Sequence, residues 1–562
     1  MQRKFAVLIL RLAVVLCCAP VLCFAQMTTE QKTSDFRQLI ALYQRYYAPA
    51  AWKKQLFGFD LFDTAPWLDR VARSKDDLEF HEICAEYVAS LNDSHSAYHM
   101  PSNWSASLGF TVDSYDGSIL IDGIDRNRLP VDQFPFQIGD QLLSVDGVDV
   151  ESWIQRLSKW GSSSNARSKR SQAAQSILAR AQGSGPAAFP RAPLETGDSA
   201  LVKIQRQTGV IETYTINWLK RGTPVLTMGP VKDKEVFTKD AEPNLFSRRA
   251  SVQMPGSLTP GFVMPPGFQQ RLGNAGDFFY SGVFPSAGLR IGYLRIPAFI
   301  ALAGPAQFPD SVGIAQLAPE IAYLEANTDG LVIDIMHNPG GSPVYGDAIY
   351  SYLSPQPYQQ LQAIWRPTLL FLYQTSMQLA QAVAMGADEG TIAFYRTMLQ
   401  HAQTAYMQGA EFTPPFPLIG ATAMRDPAKD SQGRVIAYTK PIMLLTDDIS
   451  VSAADAFAAQ FQDNGRGIIF GIRTNGAGGI ATGLPVGAYS QAQTSAEVSL
   501  IVRKHNVNAP GYPPSQYLDS IGVQPDIPAD LLTKENLLNH GASFSRAMVA
   551  AVTNFVQQQN RK

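Results

Sequence analysis

At 562 residues the chain is too long for one hydrophobic core and is expected to divide into several domains. Apolar residues make up 45%, charged residues 17%, and the net charge is −2. That balance excludes nucleic-acid binding driven by bulk charge, and the local basic run Arg167, Lys169, Arg170 reads as solvated surface.

The N-terminus carries Arg3 and Lys4 before an apolar stretch, Phe5–Phe24, broken only by Arg11, with Cys23-Phe24-Ala25 at its end. This pattern reads as a secretory signal peptide over residues 1–25 and implies export to a periplasmic or extracellular space. Cys17, Cys18 and Cys23 leave with it, so the mature chain keeps only Cys84. It then forms no intramolecular disulfide and no cysteine metal site. Cys84 sits in the apolar pattern Phe80, Ile83, Tyr87 and reads as a buried small hydrophobe.

Residues 28–100 show helical periodicity, with Phe36, Leu39, Ile40 and Tyr43 on one face and a first cap expected at Thr33-Ser34-Asp35. The segment ends in the polar loop Leu91-Asn92-Asp93-Ser94-His95-Ser96; a lone loop histidine is more often surface than catalyst. Residues 104–220 are strand-rich. Their run Ile138-Gly139-Asp140-Gln141-Leu142-Leu143-Ser144-Val145-Asp146-Gly147 resembles a PDZ domain, and Leu108-Gly109-Phe110 resembles its carboxylate-binding loop. The resemblance implies substrate peptide added as an edge strand and held at Leu108, Gly109 and Phe110. A Ser/Ala/Arg/Gly/Pro-rich insertion over about residues 161–197 is expected to reshape or cover that groove.

Residues 221–290 are punctuated by Pro255, Gly256, Pro260, Gly261, Pro265, Pro266 and Gly267 and read as a linker. Residues 291–545 read as an α/β domain, with strands at Ile291–Ile296, Gly330–Met336, Pro441–Thr446 and Gly467–Phe470 and a helical insertion at about residues 355–435. Residues 546–562 are left as a tail.

Three loops of the α/β domain carry chemistry. After the strand at Ile442–Leu445, Ser450 and Ser452 precede a helix whose stripe is Ala453, Phe457, Phe461. Ser452 reads equally as a nucleophile aimed at a cleft or as a plain N-cap. After the strand at Leu331–Ile335, His337-Asn338-Pro339-Gly340-Gly341 offers backbone amides unobstructed by side chains, or an ordinary turn. The third loop, Tyr517 to Ile527, places Asp519 before Ile521-Gly522-Val523.

These segments, in this order, resemble the C-terminal processing (tail-specific) serine peptidases and their tricorn-core relatives. The fold implied is multidomain α/β: an N-terminal helical domain, a PDZ-like β domain and a crotonase-like peptidase core. Asp455 stands three residues after Ser452, as the family's pattern has it, which selects Ser452 over Ser450 as nucleophile. Many members use a lysine base in the pattern Thr-x-Gly-Lys-Gly, but here Ala477 occupies the lysine's place in Thr474-Asn475-Gly476-Ala477-Gly478. The histidine-using branch, including the tricorn core and the chlamydial protease-like activity factor, takes its base from the Asn-Asp-x-His loop, where this chain has His95. The resemblance implies Asp519 as the carboxylate behind His95, where Glu is usual, and the Gly341 and Ala453 amides as oxyanion donors. His337 is taken as structural. An acyl-enzyme mechanism on polypeptide substrates follows, with no metal, no cofactor and no nucleic acid. Homo-oligomerisation stays open, and no stable membrane span is expected once the signal is removed. Two competing readings are an inactive peptide-binding relative, suggested by Ala477, and an apolar-ligand-binding module of the same fold.

Overall fold

The computed structural model describes residues 26–183, 188–229, 256–299 and 309–561, so the expected signal peptide lies outside the described residues. Helices Thr29–Tyr46, Ala50–Phe57, Ala65–Ala72 and Asp77–Ala89 form the N-terminal unit. Its first helix starts earlier than expected. Thr28 is the cap, paired reciprocally with Gln31, and Asp35 lies inside the helix. The buried Asp35 carboxylate instead accepts the amides of Ala488, Tyr489 and Ser490, which ties this helix to the far end of the chain.

The β domain pairs Phe110–Tyr115, Ser118–Ile124, Gln141–Val145, Ser199–Gln205 and Ile211–Asn217 in that order. Its core is closed by helices Val150–Leu157 and Ala166–Leu178 through Trp153, Ile154, Leu157, Ala173, Ala174 and Ile177. The stretch expected as an insertion therefore supplies part of the domain's own core.

A seven-stranded sheet forms the centre of the third unit, in the order Gln269–Leu272, Tyr280–Ser286, Leu289–Arg295, Gly330–Asp334, Ile442–Thr446, Gly467–Gly471, Ile527–Pro528. The strands from Leu289–Arg295 onward pair in parallel and the first two pair antiparallel. Gly330–Asp334 and Ile442–Thr446 are buried along their whole length, which is why they read as unbroken apolar runs. Leu331, Ile333 and Leu444 face a layer holding Phe457 and Phe461, while Val332, Met443 and Leu445 face Met548, Val552 and Val556.

Two expectations are corrected here. Residues 269–290 are not linker: they supply two antiparallel strands of the central sheet, hidden in the sequence behind the neighbouring prolines and glycines. Residues 546–562 are not a loose tail, because helix Ala542–Gln559 covers one face of the sheet with an apolar stripe at helical spacing. The expected helical insertion is present as a hairpin of helices Leu369–Ala384 and Glu389–Met407. Among the described residues no helix is long and apolar enough to cross a membrane.

Candidate active site

The parallel strands end on one side, where loops 335–342, 447–452 and 472–479 meet. Ser450 is fully buried within this junction. Its hydroxyl donates to the Ile335 carbonyl at 2.8 Å and accepts from the Asp447 amide at 3.1 Å, so it is a structural brace.

Ser452 differs. It stands at the N-cap position of helix Ala453–Asp463, but with φ 60° and ψ −114° rather than the extended backbone an ordinary cap adopts. Such a conformation costs a non-glycine residue on the order of 1–3 kcal/mol and persists only where neighbours enforce it. Two neighbours do so. The Asp455 carboxylate accepts the Ser452 amide at 2.8 Å and the amides of Gly476 and Ala477 at 2.8 and 3.1 Å. Gly340 (φ 91°) packs against the turn so closely that a Cβ there would lie 2.8 Å from Ser452 Cβ and 3.0 Å from the Ala453 nitrogen. The amides of Gly341 and Ala453 donate to no other group among the described residues, which leaves two N–H groups free beside Ser452. Burial pushes the Asp455 carboxyl up to about 6, against the bonds from Thr474 and the three amides.

The histidine loop is anchored by β pairing. Strand Ala97–His99 pairs antiparallel with Gln493–Glu497, Ala97 opposite Ser495. Continuing that register sets His95 across from Glu497. His95 Nδ1 lies 3.6 Å from Glu497 Oε2, with the Glu497 side chain fully buried and the His95 side chain 14% exposed. Asn475 joins the two loops: its Oδ1 accepts the Ser94 hydroxyl at 2.7 Å, its amide donates to the Ser450 carbonyl at 3.1 Å, and its Nδ2 donates to the Asp448 carbonyl at 3.0 Å. Burial lowers the His95 pKa, with Lys53 acting the same way and Asp93 opposing. The imidazole is thus neutral at neutral pH, with a lone pair available for a proton.

Asp519 is placed differently from the expectation. Its carboxylate accepts Lys53 Nζ at 2.9 Å, and Lys53 also donates to Ser520 Oγ at 2.7 Å and to the Asn92 carbonyl at 2.9 Å. The pair is buried, and the carboxyl within 4 Å of the His95 ring nitrogen is that of Glu497. Although burial opposes it, Asp519, Asp93 and Glu497 raise the Lys53 pKa, so Lys53 is an ammonium and no base. Glu497, Lys53 and Asn475 were not singled out from the sequence. Asn475 is the unspecified position of the glycine-rich pattern, while Lys53 and Glu497 lie on a helix and a strand with no local signature.

The loop expected to hold peptide is engaged within its own domain. The Leu108 amide donates to the Leu178 carbonyl at 3.1 Å, and the Gly109 carbonyl accepts the Asp125 amide at 2.8 Å. Leu108 and Phe110 are buried. On the adjoining strand Asp113 accepts Ser171 Oγ and Gln175 Nε2, both at 2.6 Å. Helix Ala166–Leu178 therefore bonds directly to the edge strand where a peptide would add. Its other end reaches loop 447–452, where Ser168 Oγ donates to the Asp448 carbonyl at 2.8 Å, and Arg167 pairs with Asp530 at 2.6 Å. His337 pairs through Nδ1 with Asp447, and its amide donates to the same carboxylate, which holds it as a structural group. Cys84 is buried with its thiol pKa raised by burial, an inert hydrophobe as expected.

Residues 290–529 match peptidase family S41, and residues 104–225 match a PDZ domain. The chain carries a serine peptidase domain of family S41. Curated relatives include a protein of Chlamydia pneumoniae, 24% identical over 95% of this chain and 92% of its own length. A protein of Chlamydia trachomatis serovar D is 25% identical over 88% and 87% respectively. Among solved structures, mature CPAF complexed with lactacystin superposes with a TM-score of 0.74 at 21% identity, covering 94% of this chain and 99% of that one. Mature CPAF alone gives 0.71 at 22%, covering 94% and 98%. At these identities the likeness is one of fold.

Proposed function

We propose that this serine peptidase hydrolyses polypeptides through an acyl-enzyme, with Ser452 as nucleophile and His95 as general base. The observation that carries the reading is the backbone of Ser452, held at φ 60° and ψ −114° with Gly340 and Asp455 enforcing the turn. A serine on a sharp strand-to-helix turn presents its hydroxyl to a cleft, and the free amides of Gly341 and Ala453 are donors for the oxyanion.

His95 takes the Ser452 proton as the hydroxyl attacks the scissile carbonyl, and returns it to the leaving amine. Glu497 takes the place assigned from the sequence to Asp519. It lies 3.6 Å from His95 Nδ1, with its own carboxyl pushed well up by burial and the neighbouring Asp93, so the charge that stabilises the imidazolium is that of the ionised Asp93. Asp519 with Lys53 braces the loop from beneath. Water then hydrolyses the acyl-enzyme by the same route in reverse. Because helix Ala166–Leu178 bonds to the PDZ edge strand, substrate enters the cleft without first adding to that strand. The apolar segment Phe5–Phe24 after Arg3 and Lys4 supports export, which N-terminal sequencing of the mature protein checks.

The deciding experiment is active-site labelling with a fluorophosphonate, with lactacystin, the ligand of the CPAF complex, as a second probe. Labelling of wild type that disappears in Ser452→Ala and falls steeply in His95→Ala supports the mechanism. Equal labelling of wild type and Ser452→Ala defeats it, and leaves a peptide- or apolar-ligand-binding protein of the same fold.

A further inference from the structure

Beneath the cleft, four ionisable side chains lie almost out of solvent: Asp93, Glu497, Asp519 and Lys53. Lys53 is matched with Asp519 at 2.9 Å. Among the described residues Asp93 and Glu497 form no ion pair with a lysine or arginine. Asp93 is ordered on both oxygens, Oδ1 accepting the His95 amide and Oδ2 accepting Ser96 Oγ, each at 2.8 Å. Among the described residues both Glu497 oxygens and His95 Nδ1 are buried with no hydrogen-bond partner in good geometry, and burial with the Asp93 carboxylate beside it pushes the Glu497 carboxyl well above its ordinary range. An unpaired buried carboxylate is costly and is ordinarily relieved by a proton or a cation.

The ligand atoms of Asp93, His95 and Glu497 all lie within 4.8 Å of one another. Two donors each about 2.1 Å from a tetrahedral zinc ion sit about 3.4 Å apart, close to the 3.6 Å between His95 Nδ1 and Glu497 Oε2. Ca²⁺ needs six or more oxygens and Mg²⁺ an octahedral, largely hydrated shell, so one imidazole nitrogen with two carboxylates suits a borderline ion instead. The hydrogen bonds that Asp93 already accepts leave lone pairs free and fix its orientation, as outer contacts do for metal-binding carboxylates.

We propose that Asp93, His95 and Glu497 form a Zn²⁺ site whose occupation switches the peptidase off. The proposal rests on the reading of His95 as general base. An imidazole that gives its Nδ1 lone pair to a metal keeps its proton on Nε2, and Nε2 then has no lone pair to accept the proton of Ser452. The remaining coordination position faces the cleft through the partly exposed His95 ring and is filled by water. Zinc thus occupies the site reversibly and in competition with catalysis, and is no part of the reaction.

The test uses the full chain as Ser452→Ala, which cannot cut itself, titrated calorimetrically with zinc sulfate. The expected result is one zinc per chain, with affinity at least about tenfold weaker in Glu497→Gln and in Asp93→Asn. Circular dichroism of each variant establishes folding, and His95→Ala serves if either fails to fold. With the wild type, zinc inhibits cleavage of a fluorogenic peptide and EDTA restores it, at a concentration matching the calorimetric Kd. No binding up to about millimolar zinc, or binding that all three substitutions leave unchanged, overturns the site. The two readings separate cleanly. A protein that cleaves peptide but ignores zinc loses the site and keeps the mechanism, while one that binds zinc here yet cleaves nothing keeps the site and loses the mechanism.

Discussion

Gly340 is stacked on Ser452 at a distance no side chain would permit: a Cβ on Gly340 would meet Ser452 Cβ at 2.8 Å and the Val451 carbonyl at 2.5 Å. At φ 91° its backbone is also one that only glycine adopts without strain. The loop carrying Gly341, the proposed oxyanion donor, can therefore approach the Ser452 turn only because residue 340 is glycine. Gly340→Ala should push the loops apart and lower kcat by about 10²- to 10³-fold, the cost of losing one oxyanion donor. Steady-state kinetics alongside a thermal melt checks this. A large drop in melting temperature with unchanged kcat per folded molecule would show that the contact is merely structural.

The acidic limb of activity should lie below the ordinary imidazole range. The proposed mechanism needs His95 neutral. Burial and the Lys53 ammonium disfavour its protonation, and Asp93 only partly opposes them. A lowered pKa keeps the base free to more acidic pH, so kcat/KM should hold its plateau down past about pH 6.5, the unperturbed histidine value. A limb centred above that value in a kcat/KM profile would contradict the burial argument.

Asn475 should matter although it touches no substrate. It is the bridge between the Ser94 hydroxyl on the histidine loop and the Ser450 and Asp448 carbonyls on the serine loop. Asn475→Ala should lower kcat by roughly 10- to 100-fold with little change in KM, since misplacing a base by about 1 Å costs on that order. Asn475→Asp, which keeps an acceptor for Ser94, should recover part of the loss.

The Lys53–Asp519 pair should act on stability more than on chemistry. Both side chains are about 1% exposed, so removing one leaves a buried charge unmatched. Lys53→Met should cost about 3–5 kcal/mol, read as a shift in urea midpoint at constant slope. Asp519→Asn should destabilise as well, yet leave the acidic limb of the pH profile in place. A limb displaced in Asp519→Asn but not in Glu497→Gln would give the orienting role to Asp519.

Much of the site was legible because its parts are local. A serine between a buried strand and an apolar-striped helix, paired glycines after another strand, and a histidine in a polar loop each declare themselves within a few residues. Ala477 is as informative as any of them: its methyl group cannot take a proton, which leaves His95 as the candidate base. Less legible were segments whose role depends on what they pack against. Residues 269–290 looked like linker, and the C-terminal helix looked like a tail, until a sheet edge and a sheet face were there to receive them.

From the sequence alone came the peptidase resemblance, the order of the domains, and Ser452 and His95 as the pair to watch. Only the tertiary structure shows which carboxyl comes within 4 Å of the His95 ring. Glu497 sits on an unremarkable strand, and it faces His95 because Ala97 pairs with Ser495 across the sheet. Asp519 stands where the resemblance places a Glu, yet it is drawn to Lys53 from a distant helix. Such choices rest on sheet register and on which buried charges find each other, and both exist only once the chain has folded.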